Sequence, residues 1–520
     1  DYYIRRDFSA SENGFADESE YLQYFTWGDA STAKVTDSMT GPDANVAVIS
    51  RVSYSYDDRY FVTASWRRDY AGRLPDNCNY GDFPAVTGAW KISSEPFFPK
   101  NDIVTLLKIR SSWGRIGNLG SVGRNYKSLV LGSNSYTQQA AQYGYETNAG
   151  YIGKVYSVRK ALNTNLTWET SEQFDLGLDI DMFKDRLSAS FDFYDKRTYN
   201  LIQGQTSGWT QSIGVDPRTV NLGEVKNRGI EMQIGWSDRK GDFSYYINAN
   251  AAYNKNWISD IGVQNADGSK GVWTGSSDYS YRAMPTVYQS IEGGPINQYY
   301  MINCLGIFQS DEEAQNYVGP DGKRIQPNAV AGDLKFEDVN GDGKIDSNDR
   351  QYFGNAAPDW TFAMNLGLTW KNLSFSMMLQ GVEGAQSAYM AKYMLVGDVE
   401  GTMNRSVEIL NAWSPTNKSS NIPRLSKNDP NQNFSTLSTW YLEDASYLRI
   451  KNVTLSYDLT NAVRSLAYFK ERGSSLMFYF SGENLFTFTK YSGMDPECGG
   501  FDALRYPVSR VLSLGVKLTY

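Results

Sequence analysis

The 520-residue chain predicts an all-β fold: a transmembrane antiparallel β-barrel with tight turns at one end and long loops at the other. Three observations carry that expectation. Apolar and polar residues alternate through segment after segment, the period of a strand with two unlike faces. Tight turns alternate along the chain with very long connections. The polar face carries charges within the strands, which a water-filled or plugged lumen tolerates.

The alternation is clearest in five places. Phe174, Leu176, Leu178, Ile180 and Met182 alternate with Asp175, Gly177, Asp179 and Asp181. Leu187, Ala189, Phe191 and Phe193 form the apolar set of the next segment, and Ile230, Met232, Ile234 and Trp236 that of a third. Phe362, Met364, Leu366, Leu368 and Trp370 follow. The chain ends on Leu512, Leu514, Val516, Leu518 and Tyr520. Short turns in DMFKDRLS, WSDRKGDFS and TWKNLSF join such segments in pairs. About fourteen strand candidates emerge, mostly of the roughly 9–12 residues that a tilted strand needs to cross a bilayer. Helical patterns are few and short, in DEEAQNYV and SVEILNAW.

A soluble β-sandwich or propeller shares the alternation, since it buries the apolar face and wets the other. The connections argue for a barrel. Segments near residues 115–165, 256–298 and 381–440 are too long for a compact soluble domain but suit the outer loops of a membrane barrel. Asp175, Asp179, Asp181, Asp192, Glu231 and Lys517 lie on the polar face. The terminal Tyr520 resembles the C-terminal signal of outer-membrane barrels, and Trp236 and Trp370 stand at strand ends, where an interfacial girdle belongs.

Composition removes several functions. Tyr 37, Phe 24, Trp 13 and Gly 46 sit within a chain of mean hydropathy −0.49, as expected of many strands with one wet face. No histidine is present, which excludes Ser-His-Asp and Cys-His catalysis and histidine metal sites. The chain reads as a non-enzyme. A net charge of −8 argues against a nucleic-acid partner. Cys78, Cys304 and Cys498 are widely spaced and form neither a disulfide framework nor a metal site. No apolar run reaches the roughly 18 residues of a membrane helix. The first residues lack the apolar core of a signal peptide, so a leader has been removed or the sequence starts partway through a longer protein.

One segment carries a candidate ion site. In DVNGDGKIDSND, Asp338, Asn340, Asp342, Gly343, Asp346 and Asp349 fall at positions 1, 3, 5, 6, 9 and 12 of a calcium loop. Four side chains would supply oxygens from Asp338, Asn340, Asp342 and Asp346. Lys344 would add its carbonyl, Asp349 would close the shell and Ile345 would pack the loop down. Asp349 is shorter than the usual glutamate. No amphipathic helix flanks the segment, so a structural Ca²⁺ in an extended outer connection is expected rather than an EF-hand sensor. An Asp/Asn/Gly run is also simply a good turn former.

Two further stretches invite functional readings. Tyr299, Tyr300 and Phe308 could stack on sugar rings, but packing inside the barrel is the preferred reading. Asp179 and Asp181 share one strand face like an acid/base pair, and with 58 acidic residues such pairs arise by chance. In YLRIKNVTLSY the apolar phase slips between Ile450 and Val453, which predicts a β-bulge near Lys451 and Asn452.

The segments GDLKFEDVNGDGKIDSNDRQYFGNAAPDWTFAMNLGLTWKNLSFSMMLQG, YLEDASYLRIKNVTLSYDL, FSGENLFTFTKYSGMDPE and RVSYSYDDRYFVTASWRRDYAGRL, with the ending YPVSRVLSLGVKLTY, resemble SusC/RagA-type TonB-dependent outer-membrane transporters. The resemblance implies that residues 1–520 are the later part of one 22-stranded barrel, without the plug and TonB box, in a chain near twice this length. It further implies import across the outer membrane of a Gram-negative bacterium, driven by TonB through the plug. A SusD-like lipoprotein would lie over the barrel, the cargo would be an oligosaccharide or a peptide, and pairs of transporter and lipoprotein would form dimers. A passive β-rich surface adhesin or carbohydrate-binding protein is the competing expectation.

Overall fold

The computed structural model describes residues 2–11, 29–120, 131–133, 156–158, 163–204, 218–265, 267–282, 284–397, 404–465 and 475–519. Tyr520 lies outside them, as does much of the connection expected near 115–165.

Fourteen strands form one continuous sheet in which every neighbour in sequence is the neighbour in space. They are β1 (Tyr2–Ser11), β2 (Lys34–Tyr56), β3 (Tyr60–Ala71), β4 (Tyr80–Lys91) and β5 (Val104–Asn118). Next come β6 (Glu169–Met182), β7 (Leu187–Tyr199), β8 (Glu224–Lys240) and β9 (Phe243–Asp260). The last are β10 (Trp360–Trp370), β11 (Leu373–Glu383), β12 (Tyr447–Asp458), β13 (Ser475–Thr489) and β14 (Val511–Thr519). All pairings in this sheet are antiparallel. Among the described residues β1 and β14 do not pair with each other, so the sheet is open.

The three expected tight turns are present between β6 and β7, β8 and β9, and β10 and β11, all at one end. Two-residue turns close the last two, with positive φ at Gly241 (+62°) and Lys371 (+52°). The opposite end carries the long connections. The second of these is longer than expected: it runs from Asp260 to Trp360 rather than ending near residue 298. Its short strands, such as Gln298–Ile302 and Arg350–Asn355, pair with each other and are too short to extend the main sheet. The two short helical segments appear as helix Asp311–Asn316 and 3-10 turn Val407–Asn411.

Register aligns the apolar sets. Ile230, Met232 and Ile234 face Phe193, Phe191 and Ala189 on one side and Tyr253, Ala251 and Ala249 on the other. Leu366 pairs with Ile247 and Met377, and Phe480 with Leu455 and Leu514. Since a strand alternates faces at every residue, these pairs lie on a single face. That face is uncovered: Leu514 is 86% exposed and Leu512 62%.

The expected bulge is at Lys451. Leu379 pairs with Ile450 and Met378 with Asn452, so Lys451 is the extra residue. It restores Ile450 and Val453 to the same face, which a regular strand would separate. The largest buried cluster lies in the long connections, not between sheets, and includes Tyr288, Tyr299, Met301, Met390, Phe434 and Tyr441.

Candidate functional site

The polar face holds a charged ladder built on β5, β6 and β7. Arg110 on β5 lies 3.2 Å from both carboxylate oxygens of Asp179 on β6. Its Nη2 donates to Ser190 Oγ at 2.9 Å and to Asp192 Oδ2 at 2.6 Å, both on β7. Lys108 Nζ adds a contact with Asp179 at 3.7 Å. Arg110 thus reaches across an intervening strand, and Gly177 makes room for it. A Cβ on Gly177 would stand 2.6 Å from Arg110 Cζ and 2.6 Å from Asp192 Oδ1. Nearby, Asp175 accepts from Ser112 at 2.9 Å and Gln173 at 2.7 Å.

Of the expected polar-face residues, Asp175, Asp179 and Asp192 join this ladder. Asp181 continues the face of Asp179, Glu231 lies beside Asp192 in register, and Lys517 stands on β14 opposite Met477. Asp179 is committed to Arg110, which removes the acid/base resemblance of Asp179 and Asp181. Arg110 itself escaped the sequence reading because the register of β5 slips between Val104 and Leu106, which breaks the alternation in VTLLK. The signal that remained was Lys108, Arg110 and Ser112 at every second position.

At the long-loop end the connections fold into a cap. Tyr299 is fully buried, and its hydroxyl lies 2.7 Å from the Gly500 carbonyl and 2.8 Å from that of Gln386. One phenol therefore touches the β11–β12 and β13–β14 connections from the β9–β10 connection. Burial holds its ionisation well above the ordinary phenol range. Phe308 is also fully buried, and Tyr300 packs at a tilt against Tyr352 with centroids 4.7 Å apart. These aromatics pack within the cap rather than inside the barrel, because the connections supply their own core.

A second stitch is polar. The Asp333 carboxylate, fully buried, is 2.8 Å from Arg424 and accepts from Asn433 at 2.9 Å. Asn433 Oδ1 in turn accepts from the Leu334 amide and from Asn431. A third stitch ties cap to sheet. Arg449 on the polar face of β12, 3% exposed, contacts Asp495 at 2.6 Å and Glu497 at 2.7 Å.

The loop 338–349 lies in the cap. Strand Leu334–Phe336 precedes it and a 3-10 turn at Ser347–Asp349 closes it, so no helix pair flanks it. Its oxygens face its own backbone. Asp338 accepts from the amides of Gly341, Asp342 and Gly343, and Asn340 from that of Asp342. Asp342 accepts from the amide of Lys344 and Asp346 from that of Asn348. Asp349 is fully buried and accepts from Val339 at 3.0 Å and Asp346 at 2.7 Å. Lys344 Nζ lies 3.7 Å from Asp342 and 3.4 Å from Asp346. Ile345 packs on the cluster of Ile302, Leu334 and Phe336, as expected. The donor chemistry suits Ca²⁺, but among the described residues no three acidic or thiol side chains converge as a metal ion needs.

The uncovered apolar face, the charged opposite face and the one-ended cap have a known counterpart. The family model described as TonB dependent receptor-like, beta-barrel matches residues 3–485. The chain belongs to this family. TonB-dependent receptor P3 of Formosa agariphila is 29% identical over 490 residues, covering 91% of this chain and 45% of that protein. TonB-dependent receptor SusC of Bacteroides thetaiotaomicron is 27% identical, covering 91% of this chain and 44% of SusC. Among solved structures, the RagAB peptide importer in its open-open state superposes with a TM-score of 0.78 at 24% identity, over all of this chain and 52% of that one. This TonB-dependent receptor chain therefore spans about half the length of the relatives it matches. It is of SusC/RagA type, and its sheet is that of an integral outer-membrane β-barrel.

Proposed function

We propose that the chain forms the C-terminal wall of an energised importer of oligosaccharides or oligopeptides. The observation that carries this is the division of one sheet into an uncovered apolar face and an ion-paired polar face, with the cap at one end only. Lipid would meet the first face and the substrate path the second. An open sheet cannot stand in hydrocarbon with unpaired edges, so further strands of the whole protein would close it, and a plug would transmit the pull of TonB. The cap would seat a SusD-like lipoprotein. The peptide importer named in the RagAB structure supports the peptide class; oligosaccharide cargo and an arrangement of two transporter–lipoprotein pairs stand in the proposal beside it. No bond is made or broken by the wall.

Ca²⁺ at the 338–349 loop belongs to the proposal as a structural ion. Asp338, Asn340, Asp342, Asp346 and Asp349 would hold it with the Lys344 carbonyl, and the Lys344 ammonium would have to leave Asp342 and Asp346.

The test is uptake of fluorescent oligosaccharides and peptides by cells making the intact protein. Import of one class that stops when TonB or the lipoprotein is deleted supports the proposal. Surface binding without TonB-dependent entry would favour a passive carbohydrate-binding or adhesive protein instead.

A further inference from the structure

Just beyond the apolar band, on its own outward face and toward the cap, the sheet changes character. Register places Trp113, Phe174, Asp195, Arg228 and Lys255 in one row across β5 to β9. The next row toward the cap is Arg115, Glu172, Arg197, Lys226 and Trp257. With Glu224, which pairs with Arg197 and Lys226, the patch sets five cations against three carboxylates. Its net charge is +2 in a chain whose total is −8.

The cations are shaped for recognition. Each arginine lies over an aromatic ring: Arg115 over Trp113 at 5.3 Å, Arg197 over Tyr199 at 4.8 Å and Arg228 over Trp257 at 5.8 Å. Each also contacts one carboxylate, Glu172, Glu224 and Asp195 respectively. A guanidinium has five N–H donors and a carboxylate engages two at most, so the fork stays oriented with donors to spare. The side chains of Arg197 and Arg228 remain 51% and 54% exposed, and Lys255 is exposed beside them. Strands β10 to β14 are more apolar there: Phe486 and Phe488 stand outward at the same end of β13, with Arg510 over the Phe486 ring at 5.3 Å.

We infer that this patch binds the phosphate-bearing headgroup of an outer-leaflet lipid whose acyl chains lie on the apolar band below. Arg115, Arg197, Arg228 and Lys255 grip the phosphate oxygens, and the aromatic rings meet the glycerol or sugar boundary. The inference rests on the apolar face being the lipid face, not on any cargo.

The test uses the intact protein in a neutral detergent, with phosphatidylglycerol or phosphatidylcholine added and lipid retention counted by native mass spectrometry. Phosphatidylglycerol should be retained preferentially, and Arg197→Gln/Arg228→Gln/Lys255→Gln should lower its retention by about tenfold or more. The control Lys108→Gln/Lys196→Gln/Lys517→Gln removes the same charge from the polar face and should retain phosphatidylglycerol as the unaltered protein does. Lys255→Glu alone, which breaks none of the three arginine pairs, should lower retention severalfold and serves if the triple variant does not fold. Equal retention of the two lipids, or equal loss in patch and control variants, would overturn the inference. Loss of the apolar-face reading itself would show differently, as no lipid retained by any form.

Discussion

The Tyr299 hydroxyl lies 2.7 Å from the carbonyl oxygen of Gly500, a residue 201 positions away in sequence. Gly500 holds φ at +88°, and a Cβ there would stand 2.1 Å from Ala356 and 2.9 Å from the Tyr299 hydroxyl. The glycine thus serves both the backbone conformation and the approach of the phenol. Tyr299→Phe should remove the single phenol donor that the two carbonyls share, leaving Gly500 O with only the Ala388 amide, at a cost of about 1–3 kcal/mol. Gly500→Ala should cost at least as much. The expected result is a cap cut by trypsin at lower denaturant while the sheet stays intact. Unchanged cap cleavage in both variants would refute the three-way stitch.

Alkaline pH should open the same cap. Burial raises Tyr288 and Tyr389 to about 12 and holds Tyr299, Tyr441 and Tyr491 well above the ordinary phenol range. An unfolded phenol titrates near 10. Below that value the phenols are protonated in both states and their contribution to stability is fully present. As pH rises above it, the unfolded chain loses protons that the folded cap retains, so stability falls. The phenolate absorbance of these buried tyrosines should therefore appear as a late step, together with cap opening and well before strand circular dichroism is lost. A single smooth titration near pH 10 with no structural change would contradict this.

The polar-face ladder depends on Gly177 as much as on its charges. Gly177→Val should push Arg110 away from Asp192 and leave Asp179 and Asp192 to repel each other. Arg110→Gln should be milder, because glutamine still fits beside Gly177 and donates. Heat-modifiability on a gel reports the outcome: the expected midpoint falls in the order unaltered protein, Arg110→Gln, Gly177→Val. The reverse order of the two variants would mean that space at Gly177 is not limiting.

Much of this architecture was legible because membrane strands state their two faces residue by residue. Phe174 to Met182, Ile230 to Trp236 and Phe362 to Trp370 needed only period two, and even the Lys451 bulge announced itself as a phase slip between Ile450 and Val453. The cap was not legible. Tyr299 and Tyr441 stand in segments without period, and Asp333 finds Arg424 across 91 residues. Nothing local in sequence marks such pairs, since each is made only when distant connections meet. Register slippage hid Arg110 in the same way.

Loop 338–349 separates a self-held turn from an ion site by two measurements. Asp349→Ala removes the acceptor of two backbone amides and should cost about 1–3 kcal/mol of local stability with or without calcium. Calorimetry of the intact protein should show Ca²⁺ uptake that Asp342→Ala abolishes. No uptake, with the Asp349→Ala effect retained, would leave the loop as a turn alone.

The two-faced sheet is tested most directly by spin labels placed one at a time from Asp175 to Ile180 on β6 in the reconstituted intact protein. Collision with oxygen, which concentrates in lipid, should peak at 176, 178 and 180. Collision with a water-soluble nickel chelate should peak at 175, 177 and 179. A period of two with opposite phase is the expected result; equal nickel access at every position would contradict the assignment of one face to lipid and the other to a lumen.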